Sequence, residues 1–214
     1  MISRRELEFC LPGLTLSLEV VAEMEQLITD PEDDDQIPYW AELWPAARGL
    51  AQYIWESVDF QGATVLELGA GMGLPGLVAA LKGGRVTMTD YKPEALEFAA
   101  RNATKNEIQG INFVLADWRN FSLTTRFDWI IGSDVLYNPK LNPYVAKIID
   151  RNLIPGGQLL FAHPGRKVTH DFLRELVRQK GMKEKQSHIP VLVDHPYFPF
   201  YEIDIHHLIS EKQE

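Results

Sequence analysis

The chain has 214 residues, 45% hydrophobic and 24% charged, the balance of an ordinary soluble domain long enough to bury a core without covalent staples. Its formal charge of −9 disfavours a phosphate-rich partner, and no Lys/Arg cluster offsets it, so no nucleic-acid partner is expected. The single cysteine, Cys10, rules out an internal disulfide, the charged N-terminus is unlike a secretory signal, and no apolar window approaches the ~18–20 residues of a membrane span, which together point to a reducing, cytoplasmic setting.

The first 37 residues read as a hairpin and an acidic loop. Apolar runs Leu7–Leu11 and Leu14–Val21 flank Pro12-Gly13, and Pro-Gly sets a turn, so a β-hairpin is predicted. Asp30 to Asp35 form an acidic stretch broken by Pro31, read as a solvated loop. An aromatic segment, Tyr39-Trp40 to Trp44-Pro45, then leads into an amphipathic helix over 46–56.

From residue 63 the pattern alternates regularly. Strands are predicted at Thr64–Leu68, Arg85–Thr89, Asn112–Ala116, Trp129–Gly132 and Gln158–Ala162, with helices at 74–82, 93–106, 140–152 and 168–180. Short apolar runs alternating with helices imply a parallel sheet covered on both faces. Two extended segments, 185–194 and 200–208, follow without a helix between them. They form a hairpin that places an antiparallel strand in the sheet. The expectation is a single α/β domain over 1–214, Rossmann-like and seven-stranded, with helices on both faces, the last strand antiparallel and an N-terminal β-hairpin extension (1–37) ahead of the core (38–214).

The sharpest local signal is Glu67-Leu68-Gly69-Ala70-Gly71-Met72-Gly73, where a buried strand ends in glycines and a helix begins. Glycine permits a sharp turn and leaves backbone amides open to a ligand. A dinucleotide fingerprint needs its third glycine at 74, which is Leu74, and no Lys-Ser/Thr pair follows as in a phosphate loop. The next strand ends in Asp90, about twenty residues on, where a ribose-binding carboxylate is expected; capping of the helix at Pro93 is its alternative role. The third strand ends in Asp117-Trp118, with a loop cap again the alternative. Three acids at three successive strand ends line one crest of the sheet, where open α/β folds bind ligands.

The E-x-G-x-G-x-G pattern resembles the first motif of the S-adenosylmethionine-dependent methyltransferases. Asp134-Val135-Leu136-Tyr137 matches the D-x-x-Y signature of their methyltransferase-16 group of protein lysine methyltransferases, and Tyr39 to Pro45 resembles that group's Trp-Pro element. The resemblance spans about residues 38 to 180. It implies S-adenosyl-L-methionine as cofactor, with Glu67 towards its methionine end, Gly69, Gly71 and Gly73 beneath it, and Asp90 on the ribose. Asp117 and Trp118 would hold and flank the adenine, and Trp44 and Ser133 complete the cofactor side. It implies Asp134 and Tyr137 as catalytic, orienting the acceptor amine and walling its channel. The adenine-methyltransferase motif at this place carries two prolines, whereas this chain has Val135 and Leu136.

The reaction implied is N-methylation of a lysine on a protein. A small-molecule amine or metabolite as acceptor, and a binding module without turnover, are the alternatives. His163 and Pro164 follow the fifth core strand and would border the acceptor entrance. No metal is expected, because His206 and His207 are neighbours on a strand and point to opposite faces. The oligomeric state is not legible.

Overall fold

The computed structural model describes residues 2–30 and 37–210; the acidic run Glu32 to Asp35 lies outside the described residues. The chain begins with β1 (Arg4–Leu11) and β2 (Leu14–Val21), paired antiparallel as predicted around Pro12-Gly13. Gly13 takes a positive φ of 75°, the turn conformation that glycine adopts without steric cost.

The core then runs α1 (Pro45–Ser57), β3 (Thr64–Leu68), α2 (Leu74–Leu81), β4 (Arg85–Asp90), α3 (Pro93–Lys105), β5 (Asn112–Leu115), β6 (Phe127–Ser133), α4 (Asn142–Asn152), β7 (Leu153–His163), α5 (Lys167–Lys180), β8 (Lys183–Leu192) and β9 (Phe200–Ile209). Among the described residues, β3 to β9 form one seven-stranded sheet in the order β5-β4-β3-β6-β7-β9-β8. All neighbours are parallel except that β9 runs antiparallel to both β7 and β8. This is the predicted Rossmann-like arrangement with its last strand reversed. Strand order reverses between β4–β3 and β6, so the crest above β3 and β6 is the topological switch point.

Pro at the first or second position of α1, α2, α3 and α4 presets a helical φ where no intrahelical N–H bond is needed. Alternation along the buried strands then sends side chains to two cores. Val65 and Val86 pack with α1 to α3 and the hairpin, while Leu66, Leu68 and Ile130 pack with α4 and α5. One strand differs from expectation. β7 begins at Leu153, five residues earlier than predicted, because Leu153 pairs with Phe127 before a bulge absorbs Pro155-Gly156-Gly157.

The hairpin is fastened to α3 by two asparagines one turn apart. Asn102 Oδ1 accepts from Glu19 N–H at 2.7 Å and its Nδ2 donates to Glu19 O at 3.1 Å. Asn106 makes the same pair of bonds with Ser17, at 3.0 and 2.9 Å. The edge of β2 is thus read by amide side chains as another strand would read it. Asn102 Nδ2 also donates to Met72 O at 3.0 Å, which ties the hairpin to the glycine turn after β3. No helix among the described residues is long and apolar enough to cross a membrane.

Candidate active site

The site is built by chain turns at the C-terminal ends of β3, β4, β5 and β6. After β3 the backbone takes positive φ at Gly69, Gly71 and Gly73, of 61°, 51° and 85°. A Cβ at Gly69 would stand 2.9 Å from Val135 Cγ1, and one at Gly73 would stand 2.8 Å from Ala99 Cβ. The turn therefore needs glycine twice over, for its dihedrals and for its neighbours. Gly73 caps α2, so the helix N-terminus opens towards the crest.

A single cavity runs along this crest. It is walled by Gly69 to Leu74, Asp90, Asp117 and Trp118 together with Tyr39, Trp44, Ser133, Asp134 and Tyr137. Every residue expected to hold the cofactor or the acceptor lines it except Glu67, whereas His163 and Pro164, expected at the entrance, do not. Asp90 is 5% exposed. Its Oδ2 accepts from Gly71 N–H and its Oδ1 from Lys92 N–H, both at 3.0 Å, so it braces the glycine turn while facing the cavity. Burial raises its pKa, opposed by the Lys92 and Gly71 amides. Asp90 does not cap the helix at Pro93, whose N-cap is Lys92 without a side-chain bond; bracing the turn and lining the cavity are compatible, since each carboxylate oxygen has a second lone pair.

Asp117 does cap a short 3-10 turn, Trp118–Asn120, through Arg119 N–H at 2.9 Å. The Arg119 side chain also binds it at 2.8 Å, and that hydrogen bond holds its carboxyl below the ordinary range. Asp117 is consequently an anion at neutral pH.

Glu67 departs from expectation. It is 1% exposed, and its Oε2 has no hydrogen-bond partner among the described residues. The carboxyl turns under α2 instead of into the cavity. Oε2 lies 2.2 Å from where a Gly76 Cβ would be, so only glycine at 76 leaves it room. Burial pushes its pKa well up, the Gly76 amide opposes this and the charge of Asp90 adds to it.

Just after β6, Asp134 has a φ of 51°, a left-handed conformation uncommon outside glycine but tolerated by Asp. Its N–H donates to Ala162 O at 2.7 Å. Both carboxylate oxygens are held by Arg166, from Nε at 2.6 Å and Nη2 at 2.8 Å. Arg166 was not among the expected site residues. It caps α5 just after β7, and a bidentate guanidinium–carboxylate fork is the strong form of this pair. Tyr39, the first residue of the segment that resembles the Trp-Pro element, organises the rim. Its ring lies 5.7 Å from that of Tyr137 and 6.3 Å from that of Trp44. Trp44 Nε1 donates to Tyr39 O at 2.7 Å. His163 does not border the cavity; it is fully buried behind Arg166 and accepts that residue's N–H through Nδ1 at 2.9 Å.

A glycine turn with strand-end acids on one side and an Asp–Tyr pair on the other defines a cleft of the methyltransferase kind. The chain belongs to the lysine methyltransferase family, whose model matches residues 21–179. It is 37% identical over 154 residues to the protein N-lysine methyltransferase METTL21A of Danio rerio, covering 67% of this chain and 70% of that protein. It is 33% identical over 146 residues to EEF1A lysine methyltransferase 3 of Mus musculus, covering 65% and 62%. With the histone-arginine methyltransferase METTL23 of Xenopus laevis it shares 38% identity over 109 residues, 48% of this chain and 47% of that one. The chain thus spans about half the length of several relatives it matches. Among solved structures, the T. Thermophilus 16S rRNA methyltransferase RsmC, in complex with AdoMet and guanosine, superposes with a TM-score of 0.67 at 15% identity, over 99% of this chain and 51% of that one. The N-methyltransferase NodS of Bradyrhizobium japonicum, in complex with S-adenosyl-l-homocysteine, gives 0.61 at 16% identity, over 88% and 97%. At these identities the likeness is one of fold.

Proposed function

We propose that this protein is an S-adenosylmethionine-dependent methyltransferase that N-methylates a lysine side chain of a protein substrate. The observation that carries the reading is the single cavity joining the glycine turn and Asp90 to Asp134 and Tyr137. One cavity thus brings the residues expected for the donor and those expected for the acceptor together. Family membership and the lysine-methylating relatives support the same reading. The residues present suit the cofactor: positive-φ glycines expose backbone at the cavity floor, Asp90 offers its oxygens to ribose hydroxyls, and the anionic Asp117 with Trp118 offers an acceptor and a ring face to adenine. When bound, S-adenosylmethionine supplies an electrophilic sulfonium methyl.

The chain's own work is then positional. Displacement needs a neutral amine aligned within van der Waals reach of the methyl, whereas free lysine, with a pKa near ~10.4, is protonated at neutral pH. Trp44, expected on the cofactor side, packs against Tyr39, and with Tyr137 the three form an aromatic collar that strips water from the amine; desolvation favours its uncharged form. Asp134 accepts from the amine and orients it, while Arg166 offsets the carboxylate charge. The exposed free Cys10 accords with a reducing, cytoplasmic setting.

Calorimetric titration with S-adenosylmethionine and, separately, NADH tests the donor. Binding of the former alone supports the reading, and no binding of S-adenosylmethionine overturns it. Labelled donor incubated with protein extract tests the acceptor. Label recovered in methyl-lysine supports lysine transfer; label confined to methyl-arginine or to the small-molecule fraction overturns the acceptor assignment while keeping the enzyme class.

A further inference from the structure

Behind Arg166, on the far side of β7 from the glycine turn, the fold gathers residues far apart in sequence. His163 ends β7, His170 lies in the first turns of α5, and Asp204 and His206 are alternate residues of β9. Register explains the gathering: β9 pairs with β7 so that His163 faces Asp204 and Phe161 faces His206, which puts all four side chains on one face with α5 above them. The pair His206-His207 points to opposite faces, as expected from sequence, but His206 finds its partners on other elements.

We propose that His163, His170, Asp204 and His206 form a binding site for a divalent transition metal of zinc-like preference. One ligand atom from each, all four within 4.8 Å of one another, already converge. His163 Nε2 and His206 Nε2 are 3.0 Å apart, as are His170 Nε2 and Asp204 Oδ2. Donors at ~2.0–2.1 Å around a tetrahedral zinc ion lie about 3.3 Å apart, so modest side-chain shifts complete the shell. Imidazole nitrogens with one carboxylate suit zinc better than the oxygen-seeking Mg2+ or Ca2+.

The outer contacts are those of a metal centre. Glu184 Oε1 lies 2.6 Å from His206 Nδ1, which places the ring proton there and leaves the Nε2 lone pair facing the cluster, the carboxylate–histidine arrangement that orients metal ligands. The other oxygen of Asp204 accepts from His188 Nδ1 at 2.7 Å. Two carboxylates thus adjoin the rings, a charge that a dication balances. His163 and His206 are buried, while His170 and Asp204 are partly open to solvent, which provides the entry path.

His163 is the last ligand to engage. The Arg166 amide donates to its Nδ1, so in the empty cluster its proton sits on Nε2, aimed at His206. Coordination through that atom requires its proton to transfer to Nδ1, which then no longer accepts from the Arg166 amide. His170, Asp204 and His206 therefore bind first.

The test is titration of metal-stripped protein with ZnCl2 by calorimetry, repeated on the double variant His170→Ala/Asp204→Asn, which changes only the partly open ligands. Cobalt(II) substitution followed by visible absorption reports geometry independently. The expected result is one zinc ion per chain, weakened at least about tenfold in the variant, with tetrahedral-type cobalt bands in the wild type alone. Absence of saturable zinc binding, or equal binding by a folded variant, overturns the proposal in favour of a purely hydrogen-bonded histidine cluster. Neither outcome depends on methyl transfer, so the metal site and the proposed activity stand or fall separately.

Discussion

Replacing Glu67 with Gln isolates the electrostatic cost beneath the glycine turn. The wild-type carboxyl is 1% exposed, with Oε2 unpaired among the described residues, and burial raises its pKa well above the ordinary range. In the unfolded chain a glutamate titrates near ~4.3. Below that pH the group is protonated in both states and costs nothing. As pH rises above it, the unfolded state sheds a proton that the folded state retains, so folding stability falls by up to about 1.4 kcal/mol per pH unit. The fall ends once pH passes the raised folded value. Glutamine cannot ionise and removes this fall. For a chain of this size about 1 kcal/mol corresponds to roughly 2–4 °C, so the Tm of Glu67→Gln minus that of wild type should climb by up to roughly 3–6 °C per pH unit above pH ~4.5 and then level off. Thermal melts by circular dichroism between pH 4.5 and 8, without cofactor, read this directly. A difference that stays flat with pH, or a variant less stable than wild type at neutral pH, would refute the account of Glu67 as a buried, protonated acid.

Other substitutions probe the remaining parts. Asp90→Asn should weaken S-adenosylmethionine binding by about 10–100-fold in calorimetry, since charge-assisted hydrogen bonds contribute roughly 1.5–3 kcal/mol; unchanged affinity would reduce Asp90 to a brace for Gly71. Asn102→Ala removes bonds to both backbone groups of Glu19 and to Met72. It should cost about 2–3 kcal/mol in urea unfolding, with faster amide exchange along β2. Asp134→Ala should lower methyl transfer at least about 100-fold while leaving cofactor affinity within a few fold, measured with labelled donor and by calorimetry on one preparation; parallel loss of binding would move Asp134 to the cofactor side.

The elements were largely legible because their signals are local. The alternation after residue 63 and the E-x-G-x-G-x-G turn predict β3, α2, β4 and α3 to within a residue or two. Strand-end position likewise brings Asp90, Asp117 and Asp134 to one crest. What escaped is what depends on side-chain direction or on distant pairing. Periodicity places Glu67 on a face of β3 but does not say whether its carboxyl rises to the cavity or tucks under Gly76. Arg166 lies 32 residues beyond Asp134 and meets it only because β6 and β7 are adjacent and end together. The histidine cluster has the same origin, in the register of β9 against β7. The apolar run alone starts the strand at Gln158, and the pairing of Leu153 with Phe127 across the bulge extends β7 to Leu153.

The Asp134–Arg166 pair changes what the D-x-x-Y signature does here. An isolated carboxylate beside an incoming lysine would stabilise the ammonium, which has no lone pair for the sulfonium methyl. With its two oxygens held by one guanidinium at 2.6 and 2.8 Å, Asp134 presents acceptor geometry with much of its charge already balanced. The left-handed φ of 51° at Asp134 costs on the order of 1 kcal/mol or more. It is held by the fork and by the bond from its N–H to Ala162 O. That strain turns the residue just after β6. Under the proposed lysine-methylating reading, the surroundings of Asp134 form less an anionic trap for lysine than a charge-balanced, aromatic-walled slot, and that suits a nucleophile that must arrive without its proton.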